Sequence, residues 1–249
     1  MIIGNRAPTP IYWGANWREA WNDAKSRKEF QRTIGGEQYG FVEDAWPSYR
    51  AEYTVHGFNY DAVANSVDFN HQLMTAIVGA GTWTTLNTLH GGLEMATGNN
   101  INDSCIMETG DGANPAHPYN VTQDPFFRAA FAVPSVADVL IRIGLYQDAN
   151  NWAGFQLNTG TDANFHFRTV NGAAATDTSL GAADTDWHEI HMSLDAARAW
   201  LSLDGATAVA HTTNIPVDDL LVFFYVETLV GAATKSLRLR NAMVLQDVP

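Results

Sequence analysis

The chain has 249 residues, 46% of them hydrophobic, enough to build one large all-β domain. Its net charge of −13 opposes the clustered Lys and Arg that neutralise a phosphate backbone, which argues against nucleic acid as a partner. A single cysteine, Cys105, excludes an intrachain disulfide framework. No run of about 18 apolar residues is present, so insertion in a membrane as a helix is not expected. The opening MIIGNRAPTPIYW lacks the basic and apolar regions of a secretory signal, and the expected site of synthesis is a reducing cytoplasm.

Charge divides the chain unevenly. Residues 1–60 carry seven basic and seven acidic side chains, residues 61–249 seven and twenty, and no Lys or Arg occurs between Arg50 and Arg128. The first segment therefore reads as a separate object, an arm and helix over 1–49, followed by a β-sandwich over 50–249. Pro8 and Pro10 favour an extended start, and Asn16 with Glu19 resembles a capping box. The spacing of Trp17, Ala20, Trp21 and Ala24 then predicts one helix over about 17–33, closed by Gly35 and Gly36. The aromatic arm residues Tyr12, Trp13, Trp17 and Trp21 either pack on the chain's own sandwich or dock on a neighbouring subunit, since aromatic anchors suit both.

From about residue 49 the pattern changes to short strands separated by Gly, Asn, Asp or Pro, which is sandwich punctuation rather than βαβ spacing. The stretches YRAEYTVHGF, HQLMTAIVG, TTLNTLHGGLEMATG, FFRAAFAVP, DVLIRIGLYQD, WAGFQLNT and NFHFRTVNG come first. WHEIHMSLD, RAWLSLDG, TAVAHTTN, LLVFFYVET and KSLRLRNAMVLQ follow. Asp204-Gly205 between RAWLSL and ATAVAH predicts a type I′ hairpin turn, because both positions then take positive φ. Leu237 and Leu239 alternate with Arg238 and Arg240, and Phe165 and Phe167 with His166 and Arg168, so each strand has one buried face.

The segment from about Phe126 to Leu245 resembles the concanavalin A-like lectin/glucanase jelly roll, in its laminin-G-like branch. The resemblance rests on Trp187-His188 opening a strand, Leu203-Asp204-Gly205 ending the next, Ile215-Pro216 in the following loop and a last strand of alternating Leu and Arg. It implies an all-β antiparallel jelly-roll sandwich, a fold that hosts lectins, glycosidases, adhesion modules and virion proteins alike.

DTDWHEIHMSLD (184–195) holds the densest cluster of chemistry-bearing side chains. On a strand His188, Ile190, Met192 and Leu194 face one way, and Trp187, Glu189, His191 and Ser193 the other, so the two histidines cannot chelate one ion together. Asp184, Asp186 and Glu189 approach the Glu-x-Asp-x-x-Glu strand pattern of the family's glucanases, but the first position is shortened and SLGAADTD reads as a loop. The aspartates then read as solvated turn residues and Glu189 as an exposed strand position. No phosphate-loop, dinucleotide or nucleophile-elbow motif is present, and Cys105 reads as a small buried residue.

Calcium is the one ion the loops could suit, through Asp148 in QDANNWAG and Asp111 in TGDGANPAHPYN; no other cofactor is expected. Trp152 with Asn150 and Asn151 forms the candidate glycan or surface contact. The leading expectation is a non-enzymatic virion structural protein of a bacteriophage, a capsid decoration or tail-associated component. Its arm would dock on neighbouring subunits in a homo-oligomer or on other virion proteins. The alternative is a lectin-type carbohydrate-binding module or adhesin that recognises a cell-surface glycan.

Overall fold

The computed structural model describes residues 11–12, 17–22, 27–34, 37–41, 51–57, 74–86, 92–108, 119–217 and 219–247. The first four strands are β1 (Ile11–Tyr12), β2 (Trp17–Asn22), β3 (Arg27–Ile34) and β4 (Glu37–Phe41), which hydrogen-bond in that order as an antiparallel sheet. This corrects the helix expected over 17–33. Two Trp and two Ala make too narrow a stripe to hold a helix on a surface. Trp17 and Trp21 also share one face of a strand, and Trp17, Glu19 and Trp21 pair in register with Arg32, Phe30 and Lys28. Aromatic and β-branched residues across 27–41 favour the extended chain.

Sixteen further strands build two larger antiparallel sheets. They are β5 (Ala51–Gly57), β6 (Met74–Val78), β7 (Thr82–Thr85), β8 (Leu93–Ala96), β9 (Ser104–Glu108), β10 (Tyr119–Asn120), β11 (Phe126–Ala132) and β12 (Val139–Asp148), then β13 (Asn151–Asn158), β14 (Asn164–Asn171), β15 (Ala174–Ala182), β16 (Trp187–Leu194), β17 (Ala199–Leu203), β18 (Val209–His211), β19 (Asp219–Thr228) and β20 (Ser236–Asp247). One sheet runs β15-β14-β13-β12-β19-β9-β6, with β10 also on β19. The other runs β18-β17-β16-β11-β20-β8-β7, with β5 also on β20. Strands distant in sequence thus lie side by side in both sheets, and the fold is an all-β antiparallel sandwich. Among the described residues no helix is long and apolar enough to cross a membrane.

The core lies between the inner faces. Val139, Ile141, Ile143 and Leu145 point inward from β12 while Arg142, Gly144 and Tyr146 alternate outward. The sheets meet through aromatic rings, Phe131 against Phe155 at 4.6 Å between centroids and Phe127 against Phe224 at 6.1 Å. The predicted alternations hold: Phe165, Phe167, Leu237 and Leu239 are buried, and His166, Arg168, Arg238 and Arg240 are only partly so. Asp204 and Gly205 both take positive φ, 52° and 71°, as the type I′ turn requires. Cys105 is fully buried, and burial pushes its thiol up to about 11, where it is inert.

Candidate functional site

The outer face of the sheet carrying β12 to β15 and β19 concentrates polar and aromatic chemistry. Register sets it out in rows across the strands. One row is Tyr225, Arg142, Gln156 and His166; the next is Phe223, Gly144, Gly154, Arg168 and Asp177; a third is Leu221, Tyr146, Trp152 and Val170. The middle row carries two facing glycines, whose backbones approach so closely that a Cβ on Gly144 would lie 2.2 Å from the Ala153 carbonyl oxygen. With no side chains there, the Arg142 guanidinium extends toward the Trp152 ring, 5.3 Å from its centroid, and stands 5.9 Å from Tyr225. Tyr146 stacks on Phe223 at 4.1 Å, and Phe223 on Tyr225 at 5.8 Å, giving a continuous aromatic strip along β19.

Beside this strip opens a pocket of about 190 Å³, lined by Arg142, Gln156, Asn158, Thr161, Asp162, His166, Arg168 and Asp177. His166 sits between two carboxylates: Nδ1 is 2.6 Å from Asp177 Oδ1, and Nε2 is 3.0 Å from Asp162 Oδ1. A ring that donates at both nitrogens is the imidazolium. Burial works against that charge, but the hydrogen bonds to Asp162 and Asp177 outweigh it and raise the His166 pKa. Asp162 is lowered first by the Asn164 backbone N–H, at 2.9 Å, and then by His166. Arg168 Nη1 donates to the other Asp177 oxygen at 2.7 Å. Burial lowers the Arg142 pKa, with the Arg168 charge acting in the same direction. Burial also raises the Tyr225 phenol, helped by its 2.7 Å hydrogen bond to Glu227.

The residues singled out from sequence fall elsewhere or play other parts. Trp152 lies on this outer face but is only 2% exposed, so it is a packed wall and not an open platform. Asp148, Asn150 and Asn151 close the β12–β13 hairpin, the Asp148 carboxylate accepting from the Asn150 N–H at 2.6 Å and from Asn151 Nδ2 at 3.3 Å. Asp111 and Trp13 lie outside the described residues, whereas Tyr12 falls on β1 and Trp17 and Trp21 on β2. Among the described residues no group of three or more His, Cys, Asp or Glu converges as metal ligands.

DTDWHEIHMSLD splits across β16 as the strand period requires. His188 faces the core, 4.9 Å from the Phe165 ring, with Asp204 at 2.7 Å from Nδ1 and Asp184 at 2.9 Å from Nε2. His191 faces outward and stacks on Phe126 at 6.1 Å. Asp184 and Asp186 are exposed turn residues, the Asp184 carboxylate accepting from the Asp186 N–H at 2.8 Å. Glu189 is not the free strand position expected: it binds Arg128 and, at 2.6 Å, His191 Nε2. Burial opposes ionisation there, yet the hydrogen bonds from His191 and Arg128 hold the carboxyl down at about 2.

Sequence reasoning noted Arg168 and His166 only as the wet face of a strand and missed Arg142, Gln156, Asp162 and Asp177 as a group. The available signal was DVLIRIGLY, where a lone Arg interrupts an apolar strand on an otherwise acidic chain. No protein-family model matches the chain, and no curated protein matches it. Among solved structures it is similar to a protein of unknown function from Shewanella oneidensis MR-1, at 15% identity and a TM-score of 0.60 over 80% of this chain and 87% of that one. It is similar to the carbohydrate recognition domain of Emp47p at 11% identity and a TM-score of 0.54, over 82% and 100%. A glycosyl hydrolase family protein from Mycobacterium fortuitum follows at 9% identity and 0.52, over 70% and 92%. At such identities the likeness is one of fold alone, an all-β sandwich.

Proposed function

We propose that the chain is a non-catalytic, lectin-type glycan-binding protein whose ligand lies on the outer face of β12 to β15 and β19. The observation that carries this reading is the polar pocket opening beside the Tyr225–Phe223–Tyr146 strip. A sugar ring offers hydroxyls to Asn, Gln, Arg and carboxylate groups, which line the pocket, and C–H faces to aromatic rings, of which Tyr146 and Tyr225 on this face are partly exposed while Phe223 is buried. The shared fold with a carbohydrate recognition domain supports it by analogy. The ionised state of Asp162 suits a hydrogen-bond acceptor, not the raised-pKa acid that glycoside cleavage uses.

The test is a printed glycan array, run with and without EDTA, on the wild type and on Arg168→Ala. Glycan signal that survives EDTA and falls in the variant is expected; an array blank for the wild type, or unchanged by the substitution, overturns the reading.

The β1–β4 sheet stands apart from the two sandwich sheets in its hydrogen bonding, and its strands are rich in aromatic residues. This favours a display role in which residues 1–41 attach the sandwich to a larger assembly, such as a phage virion, while the sandwich meets the host glycan. Light scattering on the full chain and on a chain lacking 1–41 tests this: self-association lost on deletion supports it, and a monomer in both cases refutes homo-oligomeric docking.

A further inference from the structure

Arg142 differs from the other pocket charges in what it touches. Asp162 and Asp177 are already committed, the first to His166 and the Asn164 N–H, the second to His166 and Arg168. The Arg142 Nε donates only to the neutral Gln156 Oε1, at 3.3 Å, and among the described residues no carboxylate lies within ion-pair distance of its guanidinium. Arg128, Arg168 and Arg238 each have one. Glu227, the nearby acid on β19, accepts from the Tyr225 hydroxyl instead. Glu227 acts on Arg142 through space only. A partly desolvated guanidinium with no hydrogen-bonded carboxylate is costly, and its two Nη groups, which bond no described residue, form a planar fork.

With His166 as the imidazolium, three cations and two carboxylates line the pocket. The surplus of one positive charge stands on a chain whose net charge is −13. A polyanion would be repelled by the protein as a whole, and a dianion by Asp162 and Asp177; a single planar carboxylate matches both the surplus and the fork. The volume, about 190 Å³, is below the roughly 300–1,000 Å³ of sites for drug-sized ligands and suits a single ring.

We propose that the pocket receives the carboxylate of an acidic sugar, with Arg142 as its bidentate partner and Arg168 beside it. This rests on the glycan-binding reading above and narrows it to a ligand class.

The experiment prints uronate- and sialate-terminated oligosaccharides beside their carboxyl-reduced counterparts and beside sulfate esters, and probes them with the full chain. The wild type is expected to bind the acids at least about tenfold more tightly than the reduced forms. Arg142→Gln should weaken the acids far more than the reduced forms and so remove the difference between them. Arg142→Lys keeps the charge without the fork and should retain only part of the preference, with thermal melts confirming that each variant folds. Equal binding of acids and reduced forms by the wild type overturns this inference and leaves glycan binding standing; so does a preference for sulfate esters over carboxylates. Loss of both ligand forms to the same degree in the folded Arg142→Gln chain also overturns it. Failure of the wild type to bind any printed glycan overturns both readings.

Discussion

The two outer faces of the sandwich carry similar side chains to different ends. On the β11–β16–β20 face most charges are paired: Glu189 joins Arg128 and His191, and Arg238 meets Glu94 at 2.7 Å, while the Arg240 guanidinium packs 3.8 Å from the Trp187 ring centroid in place of a carboxylate. Phe126, His191, Ser193 and Met243 on that face are almost fully buried. On the β12–β15 face the carboxylates are held by His166 and Arg168, and no described carboxylate lies within ion-pair distance of Arg142. Ion pairs between strands hold them together; a guanidinium paired with no carboxylate, in the lining of a pocket, is equipped to receive a ligand.

The sharpest way to break the contrast is Gly144→Ala. A Cβ at that position has no room against the Ala153 carbonyl and the Gly154 Cα, so β12 and β13 must part. We expect a loss of about 3 kcal/mol, a Tm drop of roughly 6–12 °C, together with loss of glycan binding. Calorimetry showing an unchanged Tm would remove the close approach from the account.

Glu189→Gln probes the opposite face. Because the folded pKa is depressed to about 2 from 4.5, the stabilisation is present above about pH 4.5 and is lost as pH falls toward 2. With 34% of the side chain facing solvent, screening reduces the effect to about 1–2 kcal/mol. Unfolding titrations from pH 7 to 2 should show the wild type losing this increment and the variant lacking it throughout, with glycan binding intact at pH 7.

Arg168→Ala should separate the faces by function. An exposed pair with Asp177 contributes less than about 1 kcal/mol to stability, so Tm should hardly move, whereas glycan affinity should fall at least about tenfold. A binding isotherm that matches the wild type would sink the placement of the ligand.

The smallest effect is the pH dependence through His166. Its folded pKa is raised, so the contribution of the charged ring is complete below about pH 6.5, the ordinary value, and declines as pH rises through the raised one. Affinity for an acidic sugar should decline over the same window in the wild type and be flatter in His166→Gln, as read by titration calorimetry at several pH values.

Much of the sandwich was legible from residue order because strand structure writes itself locally. Alternation in NFHFRTVNG and KSLRLRNAMVLQ, the Asp-Gly turn and the split of His188 from His191 all follow from a period of two and from positive φ. Several strands escaped, among them SCIME (β9), which is short, and AATDTSLGA (β15), a polar edge strand without an apolar stripe, which supplies Asp177 and whose last four residues fell in the stretch SLGAADTD read as loop. The segment 17–33 read as helix because its two tryptophans lie four apart, a spacing that an amphipathic helix and an alternating strand can both produce.

Composition and patterning settled the all-β class, the hairpin at Asp204-Gly205 and which side of several strands is buried, since these depend on neighbours within a few residues. The tertiary structure alone decided the site. Arg142, Gln156, His166, Arg168 and Asp177 come from four strands and meet only through register between them, and register is set by how whole strands pack across the sheet, which no local pattern encodes.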